Sequence, residues 1–482
     1  MHVIQKQIVE LEISDETEVF KWHQRVSNLV HDQLTPALNQ LFDGSVRAGQ
    51  VLQVDRLAIT IHLRHEQLFE QQFTAEVIKA LEAELQLHKT SVLEKPVFTG
   101  HERDFKAFLY FLQQGYLPWW AIFKEPEDLE KSIMNALAVL SPETLKAQLK
   151  NELIKATTVE RLFNQFSVEL TNAILALFIP TQITSVIEKI KKVWFEAGTG
   201  LPLNTSQLQA AWHQAQVYFT RRIIAENIAP HRLPDQFLLA LFTANPGVLT
   251  EEFLQEFIRM YQVANPAWYF SPAIKAAFNQ SVPGKNKILK QKKDSPDTME
   301  NSLKPFVPKA DNLNTEEPLG LYVANAGLIL LAPFLPAYLQ ACGLAEADKI
   351  LKPTEAVHAL QYLVTNCIQT PEYELALNKI LCGLPLTVGI PLAIELTEVM
   401  QTEAPQLLKT IIQYWSALKN TSPAGLQESF LQRSGKLSQK ADGDWLLQIE
   451  QKGYDMLLEH LPWNYSLVKL PWMENILWVE YS

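Results

Sequence analysis

The chain has 482 residues, room for roughly two to four domains, and at 47% apolar and 20% charged it has the composition of a folded globular protein. With only 17 glycines it favours helices, while 27 prolines keep those helices short. A formal charge of −11 argues against a nucleic-acid binder, which needs a basic face to displace counterions.

Three cysteines, Cys342, Cys367 and Cys382, give neither a disulfide framework nor a paired-cysteine metal site, and they fit a reducing compartment. Met1 to Gln7 lack the apolar core of a secretory signal, so a cytoplasmic protein is expected.

Residues 1–100 predict a small α+β module, a β-α-β unit followed by a helix. Val3, Ile4, Ile8, Val9, Leu11 and Ile13 alternate in part with polar residues, as in a half-buried strand. Ser14 and Asp15 offer a cap to a helix striped by Val19, Trp22, Val26, Leu29, Val30, Leu34, Leu38 and Leu41. Gly44 and Gly49 bracket the turn into a second strand over 51–63, alternating best from Leu57 to Leu63. A second amphipathic helix is expected near 73–88.

Residues 101–280 read as a helical region. Phe105, Phe108, Leu109 and Leu112 form a stripe that stops at Gly115, before Leu117-Pro118-Trp119-Trp120. Helices are then expected near 128–139, 143–155, 158–178, 181–197, 205–228, 234–243, 250–263 and 272–279, separated by prolines. Residues 281–318 turn polar, lysine-rich and proline-punctuated, the composition of a flexible linker.

Residues 319–482 form a C-terminal, mainly helical domain ending in short strands or irregular segments. The apolar run Leu321–Leu344 contains Pro333 and Pro336, which favour a buried helix pair or helix-turn over a membrane span. Further helices are expected near 353–366, 372–382, 391–400 and 404–418, with short strand-like or irregular pieces near 445–450, 454–457, 466–469 and 476–481. The fold class is therefore mainly α with small α+β modules.

Candidates for chemistry are few. His62, His65 and Glu66 at a strand end lack a third metal ligand. His101-Glu102-Arg103-Asp104 reads as a charged helix start that suits the helix dipole. Cys382 could pair with His358 as nucleophile and base, but it sits in an apolar helix end beside Gly383, where a buried structural cysteine is expected. Glu372 and Glu374 form a carboxylate pair too ordinary in an acidic chain to indicate catalysis. Nucleotide-binding, hydrolase and metalloprotease motifs do not occur. No cofactor or metal is expected.

Three stretches carry a resemblance. The first runs from His2-Val3-Ile4-Gln5-Lys6 to Val54-Asp55-Arg56-Leu57, and the second is Phe111-Leu112-Gln113-Gln114-Gly115-Tyr116-Leu117-Pro118-Trp119-Trp120-Ala121. The third begins with Asn325-Ala326-Gly327, Ala356-Val357-His358-Ala359-Leu360-Gln361 and Leu377-Asn378-Lys379-Ile380-Leu381-Cys382-Gly383. It continues through Trp415, Asn420-Thr421-Ser422, Phe430-Leu431, Arg433, Tyr454-Asp455, Leu461-Pro462-Trp463 and Leu470-Pro471-Trp472.

In order and combination these resemble the contractile injection system tape measure family, over about residues 1–121 and 319–482. The resemblance implies a structural, non-enzymatic role: association with the tube and baseplate proteins of a syringe-like particle, and the setting of tube length. An assembly chaperone or baseplate adaptor of the same machine is the alternative. Self-association is also open, and neither nucleic acid nor membrane insertion is expected. Trp119, Trp120, Trp463, Trp472 and Trp478 are the candidates for partner contact.

Overall fold

The structure is a computed structural model that describes residues 4, 7–10, 19–44, 50–51, 57–62, 69–91, 98–121, 123, 125–199, 205–226, 228–243, 250–266, 268, 271–281 and 320–481. These residues are mainly helical, with a small mixed sheet near the C-terminus. The chain divides into two compact units, Met1–Ala107 with Trp119–Leu140, and Phe108–Pro118 with Ser141–Ser482.

The first unit holds α1 (Val19–Leu29), α2 (Thr35–Asp43), β1 (Gln50–Val51), α3 (Phe69–Ser91), β2 (Phe98–Thr99), the start of α4 (Gly100–Gln114) and α5 (Pro126–Val139). A π turn, Val30–Leu34, joins α1 to α2. Its cause is Pro36, whose missing N–H and bulky ring disturb the ladder of the preceding turn. The helical stripe survives the bulge. Val26, Leu29, Leu34 and Leu38 are buried with Phe69, Phe73 and Val77. Trp22 meets Phe69 edge-on at 4.9 Å, and Arg25 lies over the Trp22 ring while pairing with Glu70 at 2.7 Å.

The strand expectations need correction here. Of the expected second strand, Val51 pairs with Phe98, as Gln50 just before it pairs with Thr99, whereas 57–62 form no ladder among the described residues. Alternation still governs 57–62: Leu57, Ile59 and Ile61 are half-buried while Ala58, Thr60 and His62 are exposed. A period of two records which side chains face a core; it does not supply a partner strand. The described parts of the expected first strand, Ile4 and 7–10, are exposed and outside any strand, and its remaining residues, with Ser14 and Asp15, lie outside the described ones.

The second unit contains a helical array: α6 (Pro142–Glu152), α7 (Ala156–Gln165), α8 (Val168–Leu175), α9 (Thr181–Ala197), α10 (Thr205–Ala225), α11 (Leu233–Thr243), α12 (Glu251–Ala264) and α13 (Pro272–Ser281). The single helix expected over 158–178 is two, because Phe166 is extended and Ser167 caps α8, accepting from the Leu170 N–H. From α9 to α13 the array packs around one aromatic-rich core. Trp194 meets Phe253 and Phe257 edge-on at 4.8 and 5.2 Å, and Phe237 contacts Trp212 and Phe219. The expected linker lies outside the described residues apart from Ser281, which closes α13.

The C-terminal part of this unit has its own core. Its elements are β3 (Leu321–Val323), a nine-residue 3₁₀ helix (Ala326–Phe334), α14 (Leu335–Ala341), α15 (Pro353–Thr365), α16 (Ala376–Leu381), α17 (Glu398–Tyr414), α18 (Pro423–Leu426), β4 (Gly435–Gln439), β5 (Trp445–Ile449), β6 (Leu467–Val468) and β7 (Leu477–Tyr481). The apolar run expected to be a helix pair or helix-turn thus opens as a strand before its helical turns.

Another expectation fails. Residues 391–397 are not helical, and one helix runs through Pro405 where two were expected, starting from the Thr397 cap. The piece at 454–457 belongs to a 3₁₀ turn, Asp455–His460, and β4 was not foreseen. The sheet order is β3-β4-β5-β7-β6, with β5 and β7 parallel and the other pairs antiparallel.

Candidate interaction sites

The candidates for chemistry resolve as structural groups. Cys382 is fully buried, and burial pushes its thiol far above the ordinary cysteine range. His358 is buried too, with Nε2 at 2.8 Å from the Pro391 carbonyl, and desolvation lowers its affinity for a proton. Neither is poised to attack a substrate. Thr99 and Glu102 cap α4 reciprocally: the Thr99 N–H donates to Glu102 at 2.8 Å, and the Glu102 N–H donates to the Thr99 hydroxyl at 3.2 Å. His62 is exposed on the rim of a shallow cleft with Glu76 and Lys79. Among the described residues, no three His, Cys, Asp or Glu side chains converge as a metal site.

The motif stretches of the C-terminal part converge instead on one another. Asn325, Gln361 and Asn378 come from three separate stretches and meet in the core. The Asn325 amide donates to Gln361 at 2.8 Å and to Asn378 at 2.6 Å, and Asn378 donates to the Val357 carbonyl at 3.1 Å. Gly327 lies so close to the π turn Gln427–Leu431 that a Cβ would strike the Phe430 carbonyl. Gly383, at φ +68°, ends α16 and leaves no room for a side chain beside the Trp472 backbone.

A buried ion cluster binds the helical array to the C-terminal core. Arg161 of α7 donates to Glu372 through Nε at 2.8 Å and Nη2 at 3.1 Å. It also donates to the Leu112 carbonyl, and at 2.7 Å to that of Thr387. Lys379 reaches the same carboxylate at 2.6 Å and the Leu386 carbonyl at 2.8 Å. Gln165, one turn beyond Arg161, accepts from the Glu372 N–H at 2.9 Å and donates to Ile390.

Arg161 and Glu372 are fully buried, and Lys379 nearly so. Two cations share one anion, and desolvation pushes Lys379 down to about 8. Gly115, at φ +81°, closes the cluster, because a Cβ there would stand 2.5 Å from the Glu372 carboxylate. The glycine of the second motif stretch is therefore fixed by an ion pair whose members the sequence reading passed over.

The five tryptophans have different settings. Trp119 and Trp120 are half-buried. Trp463 donates its indole N–H to the Leu330 carbonyl at 2.9 Å and meets Phe334 edge-on. Trp472 donates to the Leu381 carbonyl at 2.7 Å. Both are partly buried against the C-terminal core. Trp478 differs: it stands on the outer face of the sheet, bonded to Asp444 at 3.0 Å, with the Lys440 ammonium 4.7 Å from its ring centroid.

The fold and these clusters define a mainly helical protein whose motif stretches hold its own cores together. The chain belongs to the contractile injection system tape measure protein family, whose model matches residues 1–481. The match therefore includes the helical middle, which the sequence resemblance left unplaced. No curated protein and no solved structure matches the chain. Among the described residues, no helix is long and apolar enough to cross a membrane.

Proposed function

We propose that the chain sets inner-tube length during assembly of a contractile injection particle and binds tube and baseplate proteins while doing so. The supporting observation is a family match that runs through the helical middle as well as both ends. In this reading residues 101–280 supply the length element, 281–318 a spacer, and 319–482 a terminal docking domain. Assembly takes place in the cytoplasm, with the chain reaching into the tube lumen, and no catalytic step is involved. The tryptophans Trp119, Trp120, Trp463, Trp472 and Trp478 are proposed partner contacts, with Trp478 the most accessible of them.

One observation favours an assembly chaperone or baseplate adaptor. The longest helix of the array, α10, has 21 residues, about 32 Å at 1.5 Å per residue, and α9 to α13 pack side by side around a shared core. Fully extended as helix, about 200 middle residues would reach only about 300 Å.

Electron microscopy of particles assembled with a deletion of 284–314, and with a duplication of 125–280, separates the two readings. Lengths that change with each alteration support a ruler. Particles of unchanged length refute it and leave the adaptor role.

A further inference from the structure

We propose that the outer face of the C-terminal sheet is a self-association surface, taking a second copy of this chain through a two-fold, sheet-on-sheet contact. Strand alternation divides the sheet cleanly. Leu437, Leu447, Ile449, Leu477 and Val479 are buried in the core, while the residues between them face outward. The register places the outward residues in two rows. Tyr322, Lys436, Gln448 and Glu480 form one row across β3, β4, β5 and β7. Ser438, Leu446, Trp478 and Leu467 form the other across β4, β5, β7 and β6.

The second row is apolar for an open face: Trp478 is 37% and Leu467 39% exposed, and Tyr322, in the first row at the opposite edge of the sheet, is 55% exposed. Trp478 already has its indole N–H satisfied by Asp444, so covering it strands no donor.

The arrangement is complementary to itself. A two-fold axis running along β5, the central strand, sets β4 of each copy over β7 of the other. Lys436 then faces Glu480 twice, once in each direction. Leu446 meets its own counterpart, and the large Trp478 falls opposite the small Ser438. An isologous contact requires this pairing of opposite charge and of large with small, and a face used by an unrelated partner has no reason to show it.

The area bounds the strength. Strands of five residues rise about 17 Å, and four to five strands spaced about 4.8 Å apart give a footprint of roughly 300–400 Å². A stable interface buries about 800 Å² per partner, so the dimer is weak and depends on concentration.

Sedimentation velocity of the full chain over a concentration series tests this. The wild type shifts from monomer towards dimer as concentration rises. Lys436→Glu and Glu480→Lys each turn two attractive contacts into repulsive ones and raise the dissociation constant about tenfold, at well under 1 kcal/mol per exposed contact. The double reversal, Lys436→Glu with Glu480→Lys, restores association to within about threefold of the wild type. Trp478→Gln weakens it without touching Lys436 or Glu480, and circular dichroism melts confirm that each variant stays folded. A chain monomeric up to several hundred micromolar (on the order of the weakest contacts worth calling specific) overturns the proposal. So does a dimer indifferent to both single reversals.

Discussion

Replacing Glu372 by glutamine removes the carboxylate that Arg161 and Lys379 share, at nearly unchanged shape. Three contacts of 2.6 to 3.1 Å lose their anionic acceptor, and the two cations keep only neutral oxygens: the single glutamine amide oxygen, the Leu112 and Thr387 carbonyls for Arg161, and the Leu386 carbonyl for Lys379. Breaking a buried pair from one side costs about 3–5 kcal/mol, because it leaves an uncompensated charge in a dry site.

The cost does not divide evenly. With its pKa already lowered from 10.5 to about 8, Lys379 carries a burial penalty of about 3 kcal/mol at neutral pH. It can shed its proton, so loss of the anion adds only about 1–2 kcal/mol more there. Arginine cannot deprotonate, and most of the loss falls on Arg161.

The same reasoning fixes a pH dependence. Between about 8 and 10.5 the unfolded lysine holds a proton that the folded one has released, so stability rises with pH across that window and the full penalty applies below it. Lys379→Met removes the penalty and leaves Arg161 and Glu372 as a neutral pair, so it should match or exceed the wild type at pH 7 and lose the rise above pH 8.

Urea unfolding followed by tryptophan fluorescence, at pH 7 and pH 9.5, reads both effects. A Glu372→Gln variant within about 1 kcal/mol of the wild type would show that the ions are not isolated from water, and the account of this cluster would fail.

Other substitutions probe the close approaches. Gly115→Ala must both adopt a positive φ and push into the Glu372 carboxylate, and a loss of at least about 2 kcal/mol is expected in the same unfolding assay. Gly327→Ala meets backbone rather than a movable side chain, so thermal melting should show a larger loss than at Gly115. At Asp455 burial pushes the carboxyl up, but hydrogen bonds from Arg433 and the Lys452 N–H outweigh it and hold the group below the usual carboxylate range. Stability from this pair is present above the ordinary carboxylate pKa and is lost as pH falls through the folded value; Asp455→Asn should flatten that acid limb, and an unchanged limb would count against the pairing.

How much of this was legible depended on the kind of signal. Helices with a continuous stripe and a proline or glycine boundary, such as α9, α12 and α15, stand where the periodicity put them, because stripe and stop are both local. The turn readings at Gly115 and Gly383 also hold: both glycines have a positive φ and end helices. Strands fared worse, because a ladder needs a partner that alternation cannot name. Leu57 to Ile61 alternate strongly without pairing among the described residues, while β4, with a weaker pattern, pairs on both sides.

The ion cluster was hidden for the same reason. Arg161 and Glu372 are 211 positions apart, and neither looks unusual in its own helix. The one local hint was that Arg161 and Gln165 share a helix face with Thr158 and Leu162, all of them buried.

The cluster also bears on the ruler. Two apolar cores, one centred on α9–α13 and one in residues 321–479, are built mostly from their own side chains, with Phe163 of α7 packed on the first and Tyr116 on the second. Between them the links from α7 include Arg161 and Gln165 with their carboxylate, amide and carbonyl partners, and the Leu392 N–H on the Asn164 carbonyl at 3.2 Å. Parting two apolar surfaces costs about 25 cal/mol for every Å² exposed. Parting ions that are then rehydrated costs far less, because their burial gained little net free energy. A chain that must change its reach during assembly would separate here before either core unfolds. Hydrogen exchange distinguishes the cases: the Glu372 and Leu392 amides should exchange through an opening of lower free energy than amides in α11 or β5. Equal protection at all four places would mean that the unit opens only as a whole, and a ruler that lengthens at this junction would be excluded.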